Sequence, residues 1–400
     1  MSDAAVCTAA GADLRVEQLF VAPPRRGEVK VRIGATGLCG SDRSAAIGAM
    51  PCPMPMVLGH QGAGIVTAVG DGVDSVRLGD RVVIIAITQC HQCYECARSR
   101  PHLCRVGLAG LTTGLPPAGT SPLRDAKGNA VRQFMAAGTF ADEIVVPATS
   151  AIPIPFDMPF VPAALIGCSG LTGFGAAVNT ASIEPGYSVA VIGCGAVGLF
   201  AIQGARLVGA GEIVAIDVAK SKLELAKSLG ADDVIDGSTY DSVACVRQLT
   251  ANRGADVVIE AVGSQVTVDQ AIRMTARGGH AVFVGAGSPD TMVAVRQYSG
   301  LIAPGVTLRG CFLGSADARR DVPRLVRHYL AGDLQIDPLV SQRITLGEVN
   351  QGLASLGGPN TVTSVIDFQQ EPSATESLRS AVIPRPYHSD LTNTVAPVDI

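Results

Sequence analysis

With 400 residues the chain is long enough for two domains of ordinary size, and 47% hydrophobic against 16% charged residues lets it bury large cores, which excludes global disorder. A net charge of −4 and the lack of any basic block remove the electrostatic case for binding nucleic acid or a membrane surface. The 46 glycines, 4% aromatics and absent tryptophan suit tight turns and aliphatic parallel strands.

The N-terminus, "MSDAAVCTAAGADLRVEQ", carries an acid where a signal peptide carries positive charge. The most apolar stretch, "RVVIIAIT" (81–88), has strand length, and no run is expected to reach the ~18–20 residues of a membrane helix. A soluble cytoplasmic protein is expected. Eleven cysteines in a reducing compartment argue for metal or catalytic use over a disulfide framework.

"EVKVRIGATGLCGSD" (28–42) predicts an alternating strand that ends in a glycine-rich turn. Residues 59–84 read as short strands joined by Gly-Asp turns. Then comes "QCHQCYECARSRPHLC" (89–104), in which Cys90, Cys93, Cys96 and Cys104 are spaced C-x2-C-x2-C-x7-C. Short spacings let one loop wrap a tetrahedral zinc, and four thiolates leave no open position, so such an ion braces a lobe and does no chemistry. An iron–sulfur cluster is the rival, since it too takes four thiolates. His91 and His102 are expected on the surface of this loop. Residues 107–134, rich in Gly and Pro, are long for a loop inside a compact domain and read as functional or interfacial.

Near residue 161 the texture changes. "VPAALIGCSGLTGFGAAVNT" reads as helix, and from 187 to 287 strands alternate with helices, which predicts a doubly wound parallel sheet. "TVTSVIDF" (361–368) is a last strand, and 369–400, polar and dotted with Pro, reads as a mobile tail.

Two constellations carry chemistry. In "VIGCGAVG", Gly193, Gly195 and Gly198 form G-x-G-x-x-G between a strand and a helix, with Ala196 and Val197 at the helix start. The glycines serve the turn, the pyrophosphate approach and the helix–strand packing, and the helix N-terminus offers N–H groups to phosphates. Asp217 ends the next strand, where a carboxylate takes the ribose hydroxyls and repels a 2′-phosphate, which favours NAD. The second constellation is Cys39 in "GLCGSD", His60 in "GHQGAG" and Cys168 in "IGCSGLTGFGA". Three such ligands plus water make an open, catalytic zinc, although each residue alone also has an ordinary core reading.

Over about residues 13–368 these motifs together resemble the zinc-dependent medium-chain alcohol dehydrogenases, in particular the longer, two-zinc, class III-like members; "GHQGAG", the four-cysteine lobe, "GCSGLTGFGA", "GCGAVG" and the closing "VIDF" carry the likeness. The resemblance implies an α/β fold. A GroES-like β-rich catalytic domain (1–160 and 305–368, with its zinc lobe at 90–104) would join a Rossmann NAD-binding domain (161–304). It implies two Zn2+ per chain, one catalytic on Cys39, His60 and Cys168 and one structural, with NAD as cofactor and a homodimer as the assembly. Ser41 would pass on the alcohol proton, Asp42 orient His60, and Lys222 help Asp217 hold the adenosine ribose. Met50, Ala86 and Phe134 would line the substrate channel; Ala86, small where the family often has an aromatic, predicts a primary, bulky or aromatic alcohol as substrate.

Departures from the family stand beside these. Gln61 replaces a frequent glutamate, Arg43 and Ser44 occur where a relay histidine is common, and Gly40 and Thr363 sit where well-studied members place arginines against the pyrophosphate. They leave room for a redox-neutral enzyme that retains NAD(H) and acts on a biosynthetic intermediate, while the long segment after Cys104 fits a second alternative, a dehydrogenase of a formaldehyde–thiol adduct.

Overall fold

The computed structural model describes residues 1–288 and 290–369; of the expected tail at 369–400, all from 370 onward lies outside the described residues. Two β-structures share the first part of the chain. Five strands, Ser2–Cys7, Arg15–Val21, Leu123–Arg124, Ala130–Gln133 and Met56–Val57, close into a barrel. Beside it a seven-stranded sheet is centred on Glu28–Gly37, whose alternation buries Val29, Val31 and Ile33 on one face while Lys30 stays partly exposed and Arg32 exposed. The strand Thr363–Asp367 returns from the far end of the chain and pairs antiparallel with it, Val365 opposite Gly37.

The other sheet has six strands, all parallel, in the order Asp233–Asp236, Glu212–Asp217, Ser188–Ile192, Ala255–Glu260, Thr275–Phe283, Thr307–Gly310. Ser188–Ile192 is buried along its whole length, as a strand covered by helices on both faces must be. From it the chain winds first to one side and then to the other. The switch therefore falls between the C-terminal ends of Ser188–Ile192 and Ala255–Glu260, where such sheets open a ligand crevice. The sixth strand lies past 304, the expected end of this domain. Its four residues are half-exposed or exposed edge positions with no buried alternation to announce them.

The helical run Phe160–Thr180 wedges between the two halves. It has 21 residues, and its most apolar stretch of 18 has a mean hydropathy of 1.6, so contrary to expectation one described helix is long and apolar enough to cross a membrane. Its most apolar window is 83% buried inside the protein, which makes it a core helix. One apolar cluster runs through it without a break, from Ala35, Ala63 and Val83 by way of Leu165 and Phe174 to Val189 and Phe200. Glycines permit the close approach: a Cβ on Gly167 would lie 2.0 Å from the Ile84 carbonyl oxygen, and one on Gly173 2.0 Å from that of Val197. The run is α-helical except for π turns at Ile166–Gly170 and Ala176–Thr180, and Cys168 sits in the first. π turns are frequent at functional sites because they re-aim a side chain out of the helical register.

Candidate active site

The four-cysteine loop closes on itself. The sulfurs of Cys90, Cys93, Cys96 and Cys104 lie within 4.8 Å of one another, with Cys90–Cys96 at 4.0 Å and Cys93–Cys104 at 3.9 Å. A tetrahedron with Zn–S bonds of about 2.3 Å has edges of about 3.8 Å, so the donor set fits zinc. Backbone N–H groups aim at the sulfurs, Cys93 at Cys90 (3.3 Å) and Cys90 at Cys104 (3.4 Å). Burial raises the Cys90 thiol, but the N–H groups of Gln92 and Cys93 and the neighbouring thiols outweigh it and bring its pKa down to about 7. His91 and His102 stay out of the ligand set, yet they are half-buried rather than on the surface as expected. Burial, with Arg319 near one ring and Arg100 near the other, holds both below the usual imidazole range. Replacing Cys104, itself fully buried, by serine is expected to cost one zinc and lower the thermal midpoint by roughly 10 °C or more, because the binding energy of a structural zinc is folding energy. Calorimetry with metal analysis checks this.

The second cluster is assembled from three distant segments. Cys39 precedes the helix Gly40–Ala46, His60 precedes the strand Gly62–Val69, and Cys168 comes from the π turn; their ligand atoms also lie within 4.8 Å of one another. Asp42 organises two of them. One carboxylate oxygen accepts from the Cys39 N–H (3.0 Å), and the other accepts from the Gly59 N–H (3.0 Å) and His60 Nδ1 (2.9 Å). With its proton on Nδ1, the ring presents the lone pair of Nε2, which is buried and has no hydrogen-bond partner among the described residues. A buried polar atom left so is costly unless a cation takes it, and two thiols lie beside it. The trio thus fits zinc, with a fourth position left for substrate.

Electrostatics set protons against the metal at this site. Burial opposes charge on His60, but the Asp42 carboxylate and Cys39 hold its pKa up at about 10. Cys39 and Cys168 share a proton: the Cys168 thiol donates to Cys39 and holds it well below the usual thiol range, while the same bond pushes Cys168 well above it. Protons therefore compete with metal at His60 and Cys168, and zinc affinity weakens as pH falls.

Around the trio, the Ser41 hydroxyl is 3.9 Å from the Cys39 sulfur. Phe134 is buried with its ring edge-on to His60, centroids 5.5 Å apart. Ala86, also buried, donates its N–H to the Gly167 carbonyl beside Cys168. Met50 packs against the barrel core that includes Phe134, its N–H bound to the Ser44 carbonyl. Thr363 is buried, and its hydroxyl donates to the Leu38 carbonyl at 2.8 Å.

At the switch point the three fingerprint glycines do different work. Gly193 has φ +95° and a Cβ there would lie 2.6 Å from Val262; a Cβ on Gly198 would lie 1.8 Å from the Gly193 carbonyl oxygen; Gly195 faces open space. Ala196 and Val197, partly exposed, open the helix Ala196–Leu207. Asp217 bolts this loop down, one oxygen accepting from Cys194 N–H (2.7 Å) and the other from Val218 (2.8 Å) and Ala219 (2.9 Å). Lys222 is buried in the helix Lys220–Ser228, close enough to act on the Cys194 thiol. Burial pushes that thiol far up, so it is an inert filler of the loop. Glu260, for which the sequence carried no signal, is fully buried at the same crevice and accepts from the N–H groups of Val262 (2.9 Å) and Gly263 (2.7 Å). A surface cavity of about 530 Å³ beside Asp241, Arg247 and Arg273 includes none of these residues.

Comparison with known proteins agrees with the site. Residues 25–156 match the alcohol dehydrogenase GroES-like domain and residues 196–331 the zinc-binding dehydrogenase family. The chain is 36% identical to alcohol dehydrogenase 6 of Peromyscus maniculatus over 91% of its own length and 96% of that protein. It is 34% identical to S-(hydroxymethyl)glutathione dehydrogenase of Synechocystis sp., covering 92% of this chain and all (100%) of that one. Among solved structures, benzyl alcohol dehydrogenase of Acinetobacter calcoaceticus superposes with a TM-score of 0.84 at 32% identity, covering 92% of this chain and 99% of that one. Fold, cleft and donor sets define a zinc-dependent oxidoreductase with a GroES-like half and a Rossmann-like half. The chain belongs to the zinc-binding medium-chain alcohol dehydrogenase family, as an NAD-dependent enzyme with a four-cysteine structural zinc site and a Cys-His-Cys catalytic one.

Proposed function

We propose that the enzyme oxidises a primary alcohol with a bulky or aromatic substituent to its aldehyde, using NAD+. The observation that carries the alcohol chemistry is the buried, partnerless Nε2 of His60 held against Cys39 and Cys168. When bound there, zinc supplies Lewis acidity toward a hydroxyl or carbonyl oxygen, and NAD+ supplies the hydride acceptor. The chain does the rest. Asp42 keeps the His60 proton on Nδ1, Ser41 carries the alcohol proton away from the site, and Phe134 keeps water from one side of His60. Gly193, Gly195 and Gly198, with the N–H groups of Ala196 and Val197, seat the pyrophosphate, while Asp217 and Lys222 hold the adenosine ribose.

The small side chain of Ala86 beside the Cys168 turn supports a roomy substrate, as does the likeness to a benzyl alcohol dehydrogenase. The functional unit is a cytoplasmic homodimer: the long segment between Cys104 and Phe140 is the mark of the longer family members, and eleven unpaired thiols suit a reducing compartment. Its catalytic lobe comprises 1–160 and the returning segment to 368, and its nucleotide-binding lobe 161–304 extended through Gly310.

Steady-state kinetics with NAD+ on ethanol, a branched primary alcohol, benzyl alcohol and S-(hydroxymethyl)glutathione test the substrate class. Benzyl alcohol is expected to exceed ethanol in kcat/KM by about tenfold or more, since each apolar group accommodated in a pocket is worth about 1–3 kcal/mol. Activity highest on ethanol and falling with size would contradict the roomy pocket.

A further inference from the structure

Gln61 follows His60 and is fully buried, yet the metal trio does not use it. Its amide spans the gap between two backbone segments. Oε1 accepts from the Ser169 N–H (3.2 Å) and the Ser169 hydroxyl (3.0 Å). Nε2 donates to the Leu38 carbonyl across 3.4 Å. The partners dictate which way the amide faces, because a backbone N–H can only donate and a carbonyl can only accept. Leu38 directly precedes Cys39, and Ser169 directly follows Cys168. One neutral side chain thus joins the chain at all three ligands. The Leu38 carbonyl is also held by the Thr363 hydroxyl (2.8 Å) and the Leu38 N–H donates to Ser364 (2.9 Å), which ties the arrangement to the returning C-terminal strand. The space around the amide is closed: a Cβ on Gly37 would lie 3.0 Å from Nε2 and 2.6 Å from Leu165.

We propose that Gln61 is a positioning residue, a neutral strut that keeps Cys39, His60 and Cys168 converged on the catalytic zinc without ligating it. The proposal rests on the zinc reading of that trio. Neutrality is part of the function. A carboxylate could accept from Ser169 but could not donate to Leu38, and would face a carbonyl oxygen and two thiolates with a further negative charge. An apolar side chain would leave the buried Ser169 N–H without its acceptor.

A strut and a residue that helps ligands exchange predict opposite signs for zinc release. The test uses the holoenzyme in excess 4-(2-pyridylazo)resorcinol, with zinc loss followed by colour; the phase missing from Cys168→Ala identifies the catalytic ion. Gln61→Leu is expected to speed that phase by about tenfold or more, the range seen when outer partners of metal ligands are removed. The structural phase should not change, which shows that the fold is intact. Ser169→Ala, which removes one of the two donors to Oε1, should shift the same phase in the same direction by less. Unchanged or slower catalytic release in Gln61→Leu overturns the strut. If that variant does not fold, Ser169→Ala decides, and an unchanged rate overturns it. Only one zinc phase in the wild type sinks the metal reading of the trio and the strut with it, whereas two phases with unaltered rates sink the strut alone.

Discussion

Cys168→Ala is expected to bind one zinc per chain in place of two and to lose at least about a thousandfold in kcat/KM with any alcohol. The loss follows from the geometry. Cys168 is the one of the three ligands contributed by the helical wedge, and among the described residues no other thiol joins Cys39 and His60. Without it the ion retains two protein ligands, and the Lewis acidity that makes an alcohol proton dissociable near neutral pH is gone, a contribution of several kcal/mol. The structural zinc should stay, because its four sulfurs come from one loop. Metal analysis beside steady-state kinetics checks both halves. Two zincs in the variant, or activity within tenfold of wild type, would remove Cys168 from the site.

Asp217→Asn is expected to collapse the preference for NAD+ over NADP+ by about a hundredfold. Hydrogen bonds from a ribose to a charged carboxylate are worth about 1.5–3 kcal/mol, and losing the charge also removes the repulsion of a 2′-phosphate. The same carboxylate caps the N–H groups of Cys194, Val218 and Ala219. An amide has a single acceptor oxygen for them, so KM for NAD+ should rise while kcat moves less. Initial rates against both cofactors measure the ratio; an unchanged ratio would mean that Asp217 only holds the loop.

How far these features were legible in the sequence depended on where their partners lie. The four-cysteine lobe was readable because all its ligands fall within one loop, and spacing alone specifies a tetrahedral wrap. The tight glycine turn between the strand Ser188–Ile192 and the helix Ala196–Leu207 was readable because Gly193, Gly195 and Gly198 fall between a strand pattern and a helix pattern. Residue type offered Cys39, His60 and Cys168 as a zinc set only beside an ordinary core reading, since nothing local brings a thiol from a helical wedge to a β-lobe; the family likeness decided between them. The Gln61 strut stayed hidden for the same reason, as its partners Leu38 and Ser169 meet only after the π turn has docked on the strand Arg81–Ile84 through Gly167. The sixth parallel strand was missed because "TLRG" is a short edge without alternation. The run at 160–180 was read as helix, but its apolarity was underestimated because glycines and a serine interrupt its large side chains.

Hydride transfer from an alcohol carbon to the nicotinamide is the central claim, and isotope transfer tests it most directly. Benzyl alcohol carrying two deuterons on its reacting carbon, incubated with NAD+ and the zinc-loaded enzyme, is expected to yield singly deuterated benzaldehyde and an equal amount of reduced cofactor bearing one deuteron, both seen by mass spectrometry. If no alcohol in the panel, presented in this labelled form, passes its deuteron to NAD+ while bound NAD(H) persists through turnover, the enzyme is not an alcohol dehydrogenase in net reaction, and the redox-neutral alternative takes its place.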